Sequence, residues 1–266
     1  MKNIVDVDEF IRVLEDLYEE DPCRVLPNAI WKTKERLSSL QCSFTEIQGK
    51  GVELKAWNDE VVHVLWNKDR KIDPSFRQIM EKSSLMVIHD DYVRQIETTD
   101  AYRVKKPFFS LRHDHEDISA YSMPKGFYIK EARPEGESGQ ISDLIKRCYK
   151  DLKPSPETVR SWALHKTFDP TLWIWIMDHE KGTPAALGIA ELDPTVPEGA
   201  LEWIQVLPEY QGSGFGKILV LELLNRIKGK AKFTTVSGEV DNETNPVRLY
   251  RSCGFMGNDT WWLLRR

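Results

Sequence analysis

The stretch Gln211-Gly212-Ser213-Gly214-Phe215-Gly216-Lys217 decides how this 266-residue chain is read. Before it, Leu201-Glu202-Trp203-Ile204-Gln205-Val206-Leu207 is rich in bulky and β-branched residues and ends at Pro208, which predicts a strand. After it, Val220, Leu221, Leu224 and Ile227 recur at helical spacing, and Ile218, Leu219 and Leu223 widen the same apolar face. A glycine-rich turn that opens a helix leaves backbone N–H groups without helical partners. The positive end of the helix dipole adds to their pull on an anion. The spacing therefore predicts an anion cradle, with phosphate as the group it suits best. A plain glycine turn without a ligand is the alternative, because such clusters punctuate many turns.

Two phosphate motifs can be tested letter by letter. A P-loop requires a glycine separated by four residues from a Gly-Lys pair, then Ser or Thr. Gln211 stands at the first of those positions and Ile218 at the last. A dinucleotide fingerprint requires a third glycine where Lys217 stands, and no acidic residue follows at the expected distance. The pattern that fits is Gln/Arg-x-x-Gly-x-Gly behind a strand ending Val-x-Pro, as in Val206-Leu207-Pro208-Glu209-Tyr210-Gln211-Gly212-Ser213-Gly214-Phe215-Gly216. That arrangement resembles the acetyl-CoA-binding motif of the GNAT N-acetyltransferases.

A second signature lies downstream. Lys232 to Val240 reads as another strand, and Asn245-Pro246 offers a cap and first-turn proline for a helix through Cys253 that stops at Gly254. The run Leu249-Tyr250-x-x-x-Gly254-Phe255 is similar to the element that closes GNAT domains. The resemblance implies a mixed α/β fold over about residues 126–266, with a mostly antiparallel sheet flanked by helices. It implies acetyl-CoA as co-substrate. Its pyrophosphate would lie on the backbone of Gln211, Gly212, Ser213, Gly214, Phe215, Gly216 and Lys217, and its pantetheine arm along Ile204 and Val206. The asparagine that touches the cofactor in many relatives has two candidates here, Asn242 and Asn245, and the spacing does not choose between them.

Acetyl transfer to an amine needs a proton for the departing thiolate and a neutral amine. Tyr250 is the expected general acid, because a phenol of ordinary pKa near 10 is protonated at neutral pH. Glu202 is the expected base; two-residue alternation puts it on the same strand face as Ile204 and Val206. Glu191 and Glu239 are alternatives from flanking strands, and each carboxylate could instead be an ordinary solvated strand residue.

The mild net charge of −5 argues against a nucleic-acid partner. No apolar run approaches the roughly 20 residues of a membrane helix, and the N-terminus lacks a signal-peptide core. Cys23, Cys42, Cys148 and Cys253 have no metal-like spacing and read as reduced thiols. A cytoplasmic protein that needs no metal is expected. The charged stretch from Arg112 to Asp117, followed by Ser122-Met123-Pro124-Lys125-Gly126, marks a boundary between an N-terminal α/β domain (1–122) and the GNAT-like domain (123–266). His113-Asp114-His115-Glu116 within it reads as solvated linker rather than as a metal site. Trp173, Trp175, Trp203, Trp261 and Trp262 read as core more readily than as pocket lining.

In the first half, Phe10, Leu14, Leu17 and Tyr18 form a helical face behind an Asp6 start, and a second helix follows Pro27. Residues 52–56 and 61–66 read as strands around an Asn58-Asp59 turn, 76–85 as a helix and 85–88 as a strand. This half is either a degenerate second GNAT copy or an unrelated lid that shapes the acceptor site. The function expected is transfer of an acetyl group from acetyl-CoA to a primary amine of a small molecule, by direct attack in a ternary complex. A non-catalytic acyl-CoA sensor and a protein or peptide N-acetyltransferase are the alternatives, and pairing into a homodimer is a further expectation of the resemblance.

Overall fold

The computed structural model describes residues 5–47, 51–96, 101–149, 151–242 and 244–266. Its contacts divide into two compact units. One comprises Met1–Arg112, Ser237–Pro246 and Gly257–Arg266, the other His113–Val236 and Val247–Met256. A single cut after residue 122 does not describe this division. The reason lies in the final strand, whose residues Trp261–Arg265 pair antiparallel with His89–Leu85 and so return to the first unit.

The first unit begins with helices α1 (Val7–Glu20), α2 (Pro22–Val25) and α3 (Ile30–Leu37), then strands β1 (Gln41–Ile47), β2 (Gly51–Trp57) and β3 (Val61–Asn67). Helix α4 (Pro74–Lys82), strand β4 (Leu85–His89), helix α5 (Asp90–Val93) and strand β5 (Val104–His113) follow. The Asp6 carboxylate caps α1 by accepting the Asp8 N–H at 2.9 Å, and Phe10, Leu14 and Tyr18 bury one face of that helix. The Asn58 side chain accepts the N–H groups of Glu60 and Val61, both at 2.9 Å, which fixes the β2–β3 turn. Strand β4 lies parallel to β3 through only Val61–Leu85 and Val62–Met86.

The second unit holds β6 (Phe127–Glu131), α6 (Pro134–Cys148), α7 (Pro156–Trp162), β7 (Trp173–Asp178), β8 (Thr183–Asp193) and β9 (Glu198–Val206). It continues with α8 (Phe215–Ile227), β10 (Phe233–Glu239) and α9 (Pro246–Ser252), before the final strand β11 (Met256–Arg265). Strands β6 to β9 pair antiparallel in sequence order, and β10 joins β9 in parallel. Helix α8 is apolar almost all round and packs onto the sheet so closely that a Cβ on Gly188 of β8 would stand 3.1 Å from Leu219 and Leu223. Ser155 caps α7 by accepting the Thr158 N–H at 3.1 Å.

Both stretches contain helices, a three-stranded antiparallel meander, a helix, a strand parallel to the third meander strand, a short helix and a further strand; the second opens with an additional strand, β6, and its last strand, β11, is counted mostly with the first unit. Trp173, Trp175 and Trp261 are fully buried, as the core reading predicts.

Candidate active site

Strand β9 carries two irregularities at one place. Along its edge with β8, Trp203 pairs with Ile189 while the next pair is Leu201 with Ala190, so Glu202 is an extra residue bulged out of the ladder. Along its other edge, the parallel pairing with β10 ends at Leu201–Val236. Residues 202–206 thus run on beyond the last β10 pair, leaving a stretch of backbone edge beside a bulge. Bulges bend a strand and re-aim the side chain they carry. The alternation that placed Glu202 on the face of Ile204 and Val206 therefore does not extend through residue 202. All three of these residues, with Trp203, are only partly buried in a strand otherwise enclosed.

The glycine-rich loop follows directly. A 3-10 turn over Pro208–Tyr210 is anchored by the buried Tyr210, whose hydroxyl donates to Asp178 Oδ2 at 2.7 Å and accepts from Lys181 Nζ at 2.9 Å. Gly212 and Gly214 have φ of 81° and 82°, the left-handed region that glycine enters without strain. Gly214 caps α8, and the first helical donor is the N–H of Ile218, 3.1 Å from the Gly214 carbonyl. The amides of Phe215, Gly216 and Lys217 accordingly have no carbonyl one turn earlier in the helix, as the sequence predicts. The Phe215 ring is core, 4.7 Å from Phe127, so this residue can serve the cradle only through its amide. A Cβ on Gly216 would lie 3.2 Å from Leu249 Cδ2, which brings helices α8 and α9 into close approach. Gln211 is exposed, and its Nε2 donates to the Val206 carbonyl at 3.4 Å.

Tyr250 sits on α9, and the end of that helix fixes it. The Phe255 N–H donates to the Tyr250 carbonyl at 3.1 Å and the Gly254 N–H to Arg251 at 3.1 Å, with Gly254 at φ 96°. This is a Schellman closure, completed by the Tyr250 and Phe255 rings 5.7 Å apart. Burial, reinforced by the nearby Tyr149, Cys253 and Glu202, holds the Tyr250 phenol well above the ordinary tyrosine range. Tyr250 and Glu202 are thus close enough for the charge of one to bear on the other.

Five residues not singled out as site residues in the sequence join this cluster. Gln205 donates to the Tyr149 hydroxyl at 2.9 Å, the Tyr149 ring meets Trp203 edge-on at 5.9 Å, and Trp203 stacks on Trp162 at 5.4 Å and 20°. Cys148 at the end of α6 donates weakly to the Val206 carbonyl at 3.5 Å. Trp203 therefore departs from the core reading. The one signal available was Gln205, a polar residue inside an apolar strand.

Asn242 and Asn245 belong to the segment counted with the first unit. The Asn242 side chain accepts from the Thr244 N–H at 3.0 Å and its hydroxyl at 2.7 Å, and Asn245 is exposed at φ 46°. Glu239 is likewise counted with the first unit, where it pairs with Lys106 at 2.9 Å. Glu191 is buried on β8 opposite Ala200, on the closed side of the bulge. The solvated-linker reading of residues 113–116 is overturned for its histidines, because His113 and His115 are 2% and 6% exposed. Among the described residues no group of three or more His, Cys, Asp or Glu side chains is arranged to hold a metal. No described helix is long and apolar enough to cross a membrane.

A strand running on past its last parallel pair, the N-terminus of α8 and a tyrosine helix closed by Gly254 thus belong to one unit. Residues 139–255 match the model of the acetyltransferase (GNAT) family. Solved structures share the fold over nearly the whole chain. A GCN5-related N-acetyltransferase from Sphaerobacter thermophilus superposes with a TM-score of 0.65 at 13% identity, covering 90% of this chain and 85% of that one. A GNAT-family acetyltransferase from Colwellia psychrerythraea gives 0.62 at 10% identity, covering 98% and 97%. A tandem GNAT protein from the clavulanic acid biosynthesis pathway gives 0.61 at 14% identity, covering 97% and 95%.

Proposed function

We propose that the second unit transfers an acetyl group from acetyl-CoA to the primary amine of a small molecule, by direct attack in a ternary complex. The observation that carries this reading is the Glu202–Val206 edge, left open where the β9–β10 ladder ends and adjoining the amides of Phe215, Gly216 and Lys217. The residues present suit the co-substrate. The three amides and the α8 dipole would hold its pyrophosphate, while the open edge would pair with the amides of its pantetheine arm. When bound, it supplies an acyl carbon activated as a thioester.

The chain's own groups manage the protons. Glu202, carried outward by the bulge, accepts the proton of the attacking amine as the new N–C bond forms. As the C–S bond breaks, Tyr250 gives its proton to the departing sulfur. Its desolvated setting keeps the phenol protonated through the neutral range, which is the form the role requires. A β9 backbone N–H facing the thioester oxygen adds electrostatic support as charge develops there.

Incubation with acetyl-CoA and a panel of small primary amines, amino acids and peptide N-termini, read by free-thiol release, tests this proposal. Thiol release with small amines, sharply reduced in Tyr250→Phe, is the expected result. Tight acetyl-CoA binding without thiol release for any acceptor would overturn it in favour of a sensor. Release with peptides alone would move the acceptor to proteins.

A further inference from the structure

We infer that His113 is a positioning residue for Tyr250, acting through the end of helix α9. The inference rests on the proton-donor reading of Tyr250 and adds a residue to which that reading assigns no part.

The contacts converge on one ring. His113 Nδ1 accepts the backbone N–H of His115 at 2.8 Å, which leaves Nε2 as the donor nitrogen. The backbone of Cys253, the residue just before Gly254, is near enough to the imidazole to favour its protonated form. The ring packs edge-on against Phe255 at 5.3 Å. It also lies where a side chain at position 254 would be: a Cβ there would stand 2.8 Å from His113 Nε2. Gly254 is thus required twice, for its φ of 96° and for the room it leaves the imidazole. His115 extends the chain of contacts, with its Nε2 2.7 Å from Thr234 Oγ1 on strand β10. The sequence Thr234, His115, His113, Cys253 therefore ties the C-terminal end of α9 to the sheet of its own unit.

This tie matters because α9 has only seven residues. A helix of two turns has little stability of its own, so its orientation depends on what grips its ends. Tyr250 occupies the residue whose carbonyl receives the Phe255 N–H, inside the grip. Releasing the Cys253 backbone and the Phe255 ring would let the phenol drift from the sulfur it must protonate. Proton donation depends steeply on distance, whereas the cradle at the head of α8 would be untouched.

Two substitutions separate the arms of the imidazole. In His113→Asn the amide can still accept the His115 N–H but is too short to reach Cys253. His113→Gln can reach Cys253 and gives up the His115 contact. Steady-state kinetics with acetyl-CoA and the best amine, with thermal melting as a folding check, should show kcat down about tenfold in His113→Asn and largely restored in His113→Gln. The KM for acetyl-CoA should stay within about twofold in both. Introduced into Tyr250→Phe, His113→Asn should lower kcat no further, because the group it positions is already gone.

A slow Tyr250→Phe enzyme in which His113→Asn costs its full factor again would overturn the positioning role while leaving Tyr250 as the donor. An unchanged kcat in folded His113→Asn would do the same. An unchanged kcat in Tyr250→Phe itself would overturn the donor reading, and the positioning role with it. If His113→Asn does not fold, Phe255→Leu, which withdraws only the ring contact, should show the same dependence on Tyr250, and independence would overturn the proposal.

Discussion

Replacing Gly214 by aspartate and, separately, by asparagine isolates charge from shape at the anion cradle. Gly214 caps α8 at φ 82°, and an added Cβ would meet nothing within 4 Å. The cost to the fold is therefore the left-handed backbone alone, about 1–2 kcal/mol for a typical L-residue and least for Asn and Asp. Both residues also make good N-caps, and an aspartate favours the positive end of the helix dipole, so the two variants should melt within a few degrees of one another. Binding should separate them. A carboxylate about 4 Å from a pyrophosphate charge costs about 1 kcal/mol at the dielectric of water and about 4 kcal/mol at that of a protein surface. The loop is exposed, so the true value lies between these limits, a loss of roughly five- to a thousandfold in affinity. Calorimetric titration of acetyl-CoA should show that loss in Gly214→Asp, shrinking as salt is raised, and near-native binding in Gly214→Asn. Equal affinities for the two variants, or equal losses, would refute the assignment of the pyrophosphate to this helix end.

Tyr250→Phe should lower kcat by about a hundredfold while leaving acetyl-CoA affinity near that of the wild type, measured by steady-state kinetics and calorimetry. Glu202→Gln should lower kcat/KM, and a pH–rate profile superimposable on the wild type would remove Glu202 as the base. Calorimetry should saturate at one acetyl-CoA per chain. In the first unit the Tyr92 hydroxyl already takes the Asn67 N–H at 2.8 Å, at the end of β3 where the second unit leaves β9 open; a second equivalent bound would contradict this. His63 is buried, which lowers its pKa from 6.5 to about 4. Between those values the unfolded chain binds a proton that the folded chain refuses, so stability falls as pH drops from about 6.5 to 4, by about 3 kcal/mol at most. Urea titrations of His63→Leu should show a flatter dependence on pH over that interval, and an unchanged slope would refute the assignment.

What could be read from the sequence was what is local. The loop from Gln211 to Lys217 and the turn at Gly254 are encoded by glycines at fixed offsets from apolar runs, and both fold as the spacing predicts. The caps at Asp6 and Ser155 are equally local. What escaped depends on partners distant in the chain. Strand β5 contains Pro107, which argues against a strand until its place in a sheet is known. The bulge at Glu202 exists only in relation to β8, so no periodicity within β9 reveals it. His113 and His115 lie in a charged stretch that reads as solvated linker, yet Phe255, Gly254 and Thr234 bury them. The asparagines were ambiguous by count, and their segment is grouped with the first unit.

The return of β11 to β4 sets a timetable for folding. His89 on β4 meets Asp259 on β11 at 3.0 Å, 170 residues further along the chain. At a synthesis rate of about 5–20 residues per second, the ribosome needs roughly ten to thirty seconds to cover that interval. Through it, the residues of β4 face the space their neighbour will later fill, with the polar backbone of an interior strand exposed. An edge of this kind invites pairing with another nascent chain. Halting synthesis before Gly257 should therefore yield a first unit that aggregates or is held by chaperones, whereas synthesis through Arg265 lets β11 close it.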